Sequence, residues 1–183
     1  SAAQTWINIP DSDGRRIQIG WLAWGIYPGM PFSQQMSFPT ELTLKTTPEG
    51  LKIRRQPVRE IVNLYSKKRQ WSVLVLKPGE NPLAGSNSEL ADIQLAFTPT
   101  DDTSEVGLIL RGEKIRFDVK GQALSCFDKS VPLKLVDNKI DLRILLDRAS
   151  IEIFANDGLI YMANCFLPVP ENRELAVYTV GGK

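Results

Sequence analysis

An antiparallel all-β architecture is what this chain predicts, on three observations. Apolar and polar residues alternate with period two along most of its length. Turn-forming pairs recur at strand-length intervals. No run of about 10–15 residues with helical periodicity is available to supply the crossovers that a parallel sheet needs.

Taken in chain order, Arg16-Ile17-Gln18-Ile19-Gly20-Trp21 places Ile17, Ile19 and Trp21 on one face of a strand. Thr47-Pro48-Glu49-Gly50 is a turn signal. Val58-Arg59-Glu60-Ile61-Val62-Asn63-Leu64-Tyr65 has apolar residues at i, i+3, i+4 and i+6 behind Pro57, the pattern of one or two helical turns with the proline near the first position. Lys77-Pro78-Gly79 is a second turn. Asp92-Ile93-Gln94-Leu95-Ala96-Phe97 and Glu113-Lys114-Ile115-Arg116-Phe117-Asp118 are half-buried strands by pattern, with Arg111-Gly112 and Lys120-Gly121-Gln122 as turns beside the latter. Residues 142–158 read as strand, tight turn, strand and an Asn156-Asp157-Gly158 turn, in which Asp-Gly tolerates positive φ. The expected organisation is a set of leftover strands over residues 1–45, a connector with a short helix over 46–69, and a β-sandwich over 70–183 holding about ten to twelve strands.

Composition excludes several functions. The 183 residues are 43% hydrophobic and 23% charged, an ordinary globular balance. A chain of this length buries roughly 70% of its unfolded surface without needing a staple. The net charge is +1, from 22 basic and 21 acidic residues, and the compact basic clusters Lys67-Lys68-Arg69 and Arg54-Arg55 are too small for a nucleic-acid footprint. No apolar run is long enough to span a membrane. No basic n-region with an apolar h-region is visible, and the parent's compartment stays open, with secretion or a periplasmic location as the expectation. Histidine is absent, which removes Ser-His-Asp and Cys-His nucleophiles and the commonest transition-metal ligand. Cys126 and Cys165 cannot supply a four-thiolate zinc site; they read as buried free thiols, a disulfide between them remaining open. No metal and no cofactor is expected.

The first forty-odd residues hold Trp6, Trp21, Trp24, Tyr27, Phe32 and Phe38, each worth about 1.5–3 kcal/mol if fully buried. A lone hairpin cannot bury them. This segment needs a partner surface: the sandwich, another domain or a second copy of the chain through residues 1–45.

The stretch Leu142-Arg143-Ile144-Leu145-Leu146-Asp147-Arg148-Ala149-Ser150-Ile151-Glu152-Ile153-Phe154-Ala155-Asn156-Asp157-Gly158 resembles a signature of the C-terminal β-sandwich of glycoside hydrolase family 32, the fructosidases. Ala2-Ala3-Gln4-Thr5-Trp6, Arg15-Arg16-Ile17-Gln18-Ile19-Gly20-Trp21 and Gln35-Met36-Ser37-Phe38-Pro39-Thr40-Glu41-Leu42-Thr43-Leu44 resemble the last propeller blade of these enzymes, and Gln56-Pro57-Val58-Arg59-Glu60-Ile61 their link into the sandwich. One departure is Thr40, where the family often has Arg between the Pro and Glu of this motif.

The resemblance implies a five-bladed β-propeller followed by a β-sandwich, with fructan or a sucrose-type carbohydrate as the parent's substrate and the remainder of the propeller as a partner. It implies retaining hydrolysis by a nucleophile and an acid/base held about 5 Å apart. The family's motifs for the nucleophile (Trp-Met-Asn-Asp-Pro-Asn-Gly), the transition-state-stabilising aspartate (Arg-Asp-Pro) and the acid/base (Glu-Cys) are all absent from this chain, so no catalytic residue is assigned. The family lines its fructose pocket with an aromatic residue of this last blade; Trp24 or Trp21 is the counterpart, the alternative being that both pack the blade. Of the acids near the signature, Asp147 reads as a turn former and Glu152 as a structural or surface carboxylate. Two other readings stand beside the accessory one: a stand-alone carbohydrate-binding sandwich, with Trp71 as a lone platform unless it packs at a strand start, and a self-associating interaction module.

Overall fold

The computed structural model describes residues 2–182, and among them the regular structure is almost entirely antiparallel strand. β1 (Ala3–Thr5), β2 (Arg16–Leu22), β3 (Gln35–Met36), β4 (Thr40–Thr47) and β5 (Gly50–Pro57) build a first sheet in the order β1-β2-β4-β5, with β3 paired to β2. Ile17, Ile19 and Trp21 are two apart along β2, with Ile17 opposite Glu41, but burial does not follow them to the end: Trp21 is exposed and Leu22 buried. Gly50, at φ 107, closes the β4–β5 hairpin opposite Thr47.

Residues 46–57, expected as connector, are instead the end of β4 and all of β5. Their alternation continues across the turn, so Leu44 meets Ile53 and Thr46 meets Leu51. The helical turns fall inside the expected connector, as a 3-10 helix at Arg59–Leu64 with Pro57 ending the strand before it. Arg15 fastens this helix to the first sheet, its guanidinium reaching Glu60 (2.8 Å) and Asp13 (2.5 Å).

Among the described residues nine strands follow, not ten to twelve: β6 (Ala91–Phe97), β7 (Glu105–Leu110), β8 (Glu113–Asp118), β9 (Ala123–Cys126), β10 (Lys129–Pro132), β11 (Ile140–Leu146), β12 (Ser150–Ala155), β13 (Ile160–Cys165) and β14 (Leu175–Val180). The shortfall lies in residues 66–90. Trp71, Val73 and Val75 alternate there, yet no backbone hydrogen bond joins 71–76 to the other described residues. Alternation yields a strand only where an edge is present to pair with it. Trp71 therefore does not begin a strand, and it stays 45% exposed.

One sheet runs β10-β9-β8-β7-β14 and the other β13-β12-β11-β6. Between them lies the core: Leu108, Leu110, Ile115, Phe117 and Leu124 from the first, Ile140, Ile144, Ile151 and Ile153 from the second. The β7–β8 hairpin has two central residues, Arg111 (φ 52) and Gly112 (φ 93), both left-handed as such a turn demands. Cys126 is buried in the core and Cys165 is half-buried; both are free thiols.

β12 departs from half-burial. Ile151 and Ile153 enter the sandwich core, while Ser150, Glu152 and Phe154 on the opposite face are buried too. The reason is a second layer: β13, the neighbour of β12, lies against β2 and β5 of the first sheet. The signature strand is thus enclosed from both sides.

Candidate functional site

The seam between the first sheet and the sandwich is where the chemistry-bearing residues gather. Its rows are set by strand register: Glu152 stands between Leu145 and Ala163, and Phe154 between Arg143 and Tyr161. The Phe38 N–H donates to Glu152 Oε1 (2.8 Å) and the Tyr161 hydroxyl to Oε2 (2.6 Å). The Arg55 guanidinium lies over the Tyr161 ring, 4.8 Å from its centroid. Higher up the seam, the Tyr27 hydroxyl (3.2 Å) and Gln35 Nε2 (3.1 Å) both donate to the Ala149 carbonyl.

The Asn156-Asp157-Gly158 turn clasps the edge of β5. All three residues are left-handed, at φ 47, 60 and 79, and the Arg55 N–H donates to the Gly158 carbonyl (2.9 Å). Asp157 takes hydrogen bonds from Arg54 (2.6 Å), Gln56 (2.9 Å) and Lys45 (3.1 Å). Arg54 first, and Lys45 with it, hold the Asp157 carboxyl below the usual carboxylate range. These ion pairs are surface-exposed, so Asp157→Asn is expected to cost less than about 1 kcal/mol, and less still in high salt, by urea unfolding.

Glu152 is the feature that sequence reasoning under-read. It is 0% exposed, and burial pushes its carboxyl up to about 7 against the opposing pull of Tyr161 and Phe38. A raised carboxyl is what a general acid requires, but a general acid must also reach a substrate. Glu152 is fully buried and lines neither of the two grooves described below, and both of its oxygens are engaged. The signal in the sequence was an acid flanked by Ile151, Ile153 and Phe154, apolar on both faces of the strand. Asp147 does form its turn: its N–H donates to the Ser150 carbonyl (2.9 Å), and Oδ1 accepts from the Arg148 N–H (2.8 Å).

Trp21 and Trp24 fall in different places. Trp21 pairs with Met36 at the end of β2 and is 39% exposed. Trp24 lies past the strand, 46% exposed, with Lys129 Nζ 5.0 Å from its ring. It borders an open, shallow groove of about 570 Å³ with Asp128, Ser130 and Tyr161; Trp21 does not line it. No ring contact joins the two tryptophans. A second groove, of about 390 Å³, has Asp101 and Asp102 on its border, but both are exposed turn residues without the shielding that a catalytic pair needs.

Comparison with known proteins agrees with this architecture. Residues 60–183 match the family model described as the C-terminal domain of glycosyl hydrolases family 32. A levanase of Bacillus subtilis (strain 168) is 29% identical over an alignment covering 99% of this chain and 31% of the levanase. A levanase of Bacillus sp. (strain L7) is 30% identical, with 100% and 22% covered. The chain therefore spans less than a third of either relative. Among solved structures, exo-inulinase from Aspergillus awamori superposes with a TM-score of 0.79 at 20% identity, over 92% of this chain and 38% of that one, a likeness of fold. The chain belongs to glycoside hydrolase family 32, of which it carries the C-terminal domain.

Proposed function

We propose that this chain is the bracing, catalytically incomplete part of a glycosidase that cleaves β-fructosyl linkages in levan, inulin or sucrose. The observation that carries the reading is the first sheet. One end is sealed onto the sandwich through Glu152, Tyr161 and the Asp157 turn, while Leu44 (72% exposed), Leu51 (71%) and Ile53 (59%) stay open on the rest of it. A sheet docked at one end and apolar on its free surface is a structural adaptor: the sandwich holds it, and it holds something else. That partner is the remainder of a propeller, with residues 3–57 as strands of its last blade, the 3-10 helix as the link and β6–β14 as the sandwich. The names of the relatives support a carbohydrate substrate for the complete protein.

Within that assembly, Trp24 and Trp21 are the residues proposed to face the sugar, whose apolar C–H faces stack on aromatic rings. Trp24 is the better placed, because its ring stands at an open groove. The exposed Trp6, Ile7, Ile26 and Phe32 also favour self-association through residues 1–45 when the partner is missing.

The purified chain is expected to release no fructose from sucrose, levan or inulin, while a protein carrying the upstream acids hydrolyses at least one of them. Reducing-sugar assays check this. Sugar release by the chain alone, above a heat-denatured blank, overturns the proposal.

A further inference from the structure

The surroundings of Glu152 are unusual for a buried acid. From β13 it receives the Tyr161 hydroxyl, and from the segment ahead of β4 the Phe38 N–H, both neutral donors. From the β11–β12 turn, Asp147 adds a like charge. From β5, Arg55 acts on it only at a distance: its guanidinium is turned onto the Tyr161 ring and donates to Gln18 Oε1 (2.8 Å), and its Nε has no hydrogen-bond partner. The Ser37 hydroxyl acts on Tyr161, not on the carboxyl. Among the described residues no ion pair within 4.0 Å reaches Glu152, so an ionised carboxylate there is buried with two neutral donors and only a distant cation to offset its desolvation.

The protonated form fits the same geometry. A carboxylic acid offers one O–H and keeps acceptor capacity, and a tyrosine hydroxyl can accept as well as donate. Protonated Glu152 can donate from Oε2 to the Tyr161 oxygen while Oε1 still accepts from Phe38, so both contacts of the carboxyl are kept with donor and acceptor exchanged at Tyr161. The donors on either side come from different layers, Phe38 from the first sheet and Tyr161 from the sandwich. The charge state of one side chain therefore bears on the joint between the two.

We infer that Glu152 is a proton-dependent fastener: protonated, it holds the first sheet on the sandwich, and ionised, it loosens that joint. Burial supports this by raising the carboxyl from 4.5 to about 7. The docked state then binds a proton that the undocked state releases, so docking is strongest below about pH 4.5 and is lost progressively as pH rises through about 7. The inference concerns this chain alone and does not depend on the fructosidase reading.

The test compares the wild-type chain with Glu152→Gln, an amide that cannot ionise. For the wild type, the unfolding equilibrium constant should rise on the order of 10–100-fold more between pH 5 and pH 8 than for the variant. The carboxyl ¹³C resonance of Glu152 should titrate with a midpoint near 7. Two results overturn the inference: a carboxyl that titrates in the ordinary glutamate range, or a Glu152→Gln chain that keeps the full pH dependence. If Glu152→Gln does not fold, the wild-type resonance alone decides, with Tyr161→Phe as the second variant. Removing the hydroxyl that favours the ionised form should move the midpoint further up, and a downward move contradicts the inference.

Discussion

Replacing Gly158 with alanine is expected to destabilise the chain by about 2–3 kcal/mol, from the strained φ and the hydrogen bond that the added Cβ breaks. Gly158 sits at φ 79, where an L-residue loses about 1–2 kcal/mol. A Cβ added there would stand 1.9 Å from the Arg55 carbonyl oxygen and 2.8 Å from its carbon, so the hairpin must withdraw. Withdrawal breaks the Arg55 N–H to Gly158 carbonyl bond (2.9 Å), worth about 1 kcal/mol. Gly79 is the control: its φ is 87, but nothing lies within 4 Å of the added Cβ. Gly79→Ala should cost only the conformational term, about 1–2 kcal/mol. Urea midpoints for the two variants separate the contributions. Equal losses would mean that the turn does not grip β5.

Phe154→Ala should be costlier, about 3–5 kcal/mol, and its effect should be localised. Phe154 is 1% exposed yet lies outside the sandwich core, with its ring centroid 5.0 Å from that of Tyr161. Phe117, also 1% exposed, lies within that core. The two truncations remove the same ring from different sheets, Phe117 from the face turned into the core and Phe154 from the face turned away from it. Phe154→Ala should strip hydrogen-exchange protection from residues 35–57 while β7, β8 and β9 keep theirs; Phe117→Ala should weaken all of them together. Peptide-resolved exchange at fixed pH reads the difference. Uniform loss in both variants would show that the seam opens only with global unfolding.

The sequence was informative wherever one residue's chemistry fixes its conformation. The glycine and proline turns at 47–50, 77–79, 111–112 and 156–158 formed where their φ requirements placed them. What stayed hidden depended on a neighbour. β12 reads as half-buried because alternation describes one sheet, and its second covering layer comes from residues more than a hundred positions earlier. Of the two readings of Glu152, structural or surface, the placement of Phe38 and Tyr161 around it selects the structural one. The stretch 71–76 carries strand periodicity with no edge to meet, and residues 46–57 looked like connector although they pair along their length. The two tryptophans could not be separated by spacing alone, because Trp24 falls past the end of β2.

The enclosure of β12 also bears on where this polypeptide can be divided. The family match begins at residue 60, but wetting draws a different frontier. A product starting there would bathe Phe154, Tyr161 and an unneutralised Glu152 in solvent along its central ribbon. Excision would follow the homology and strip the seam of its cover; the smallest piece that keeps those side chains enclosed reaches back to β2.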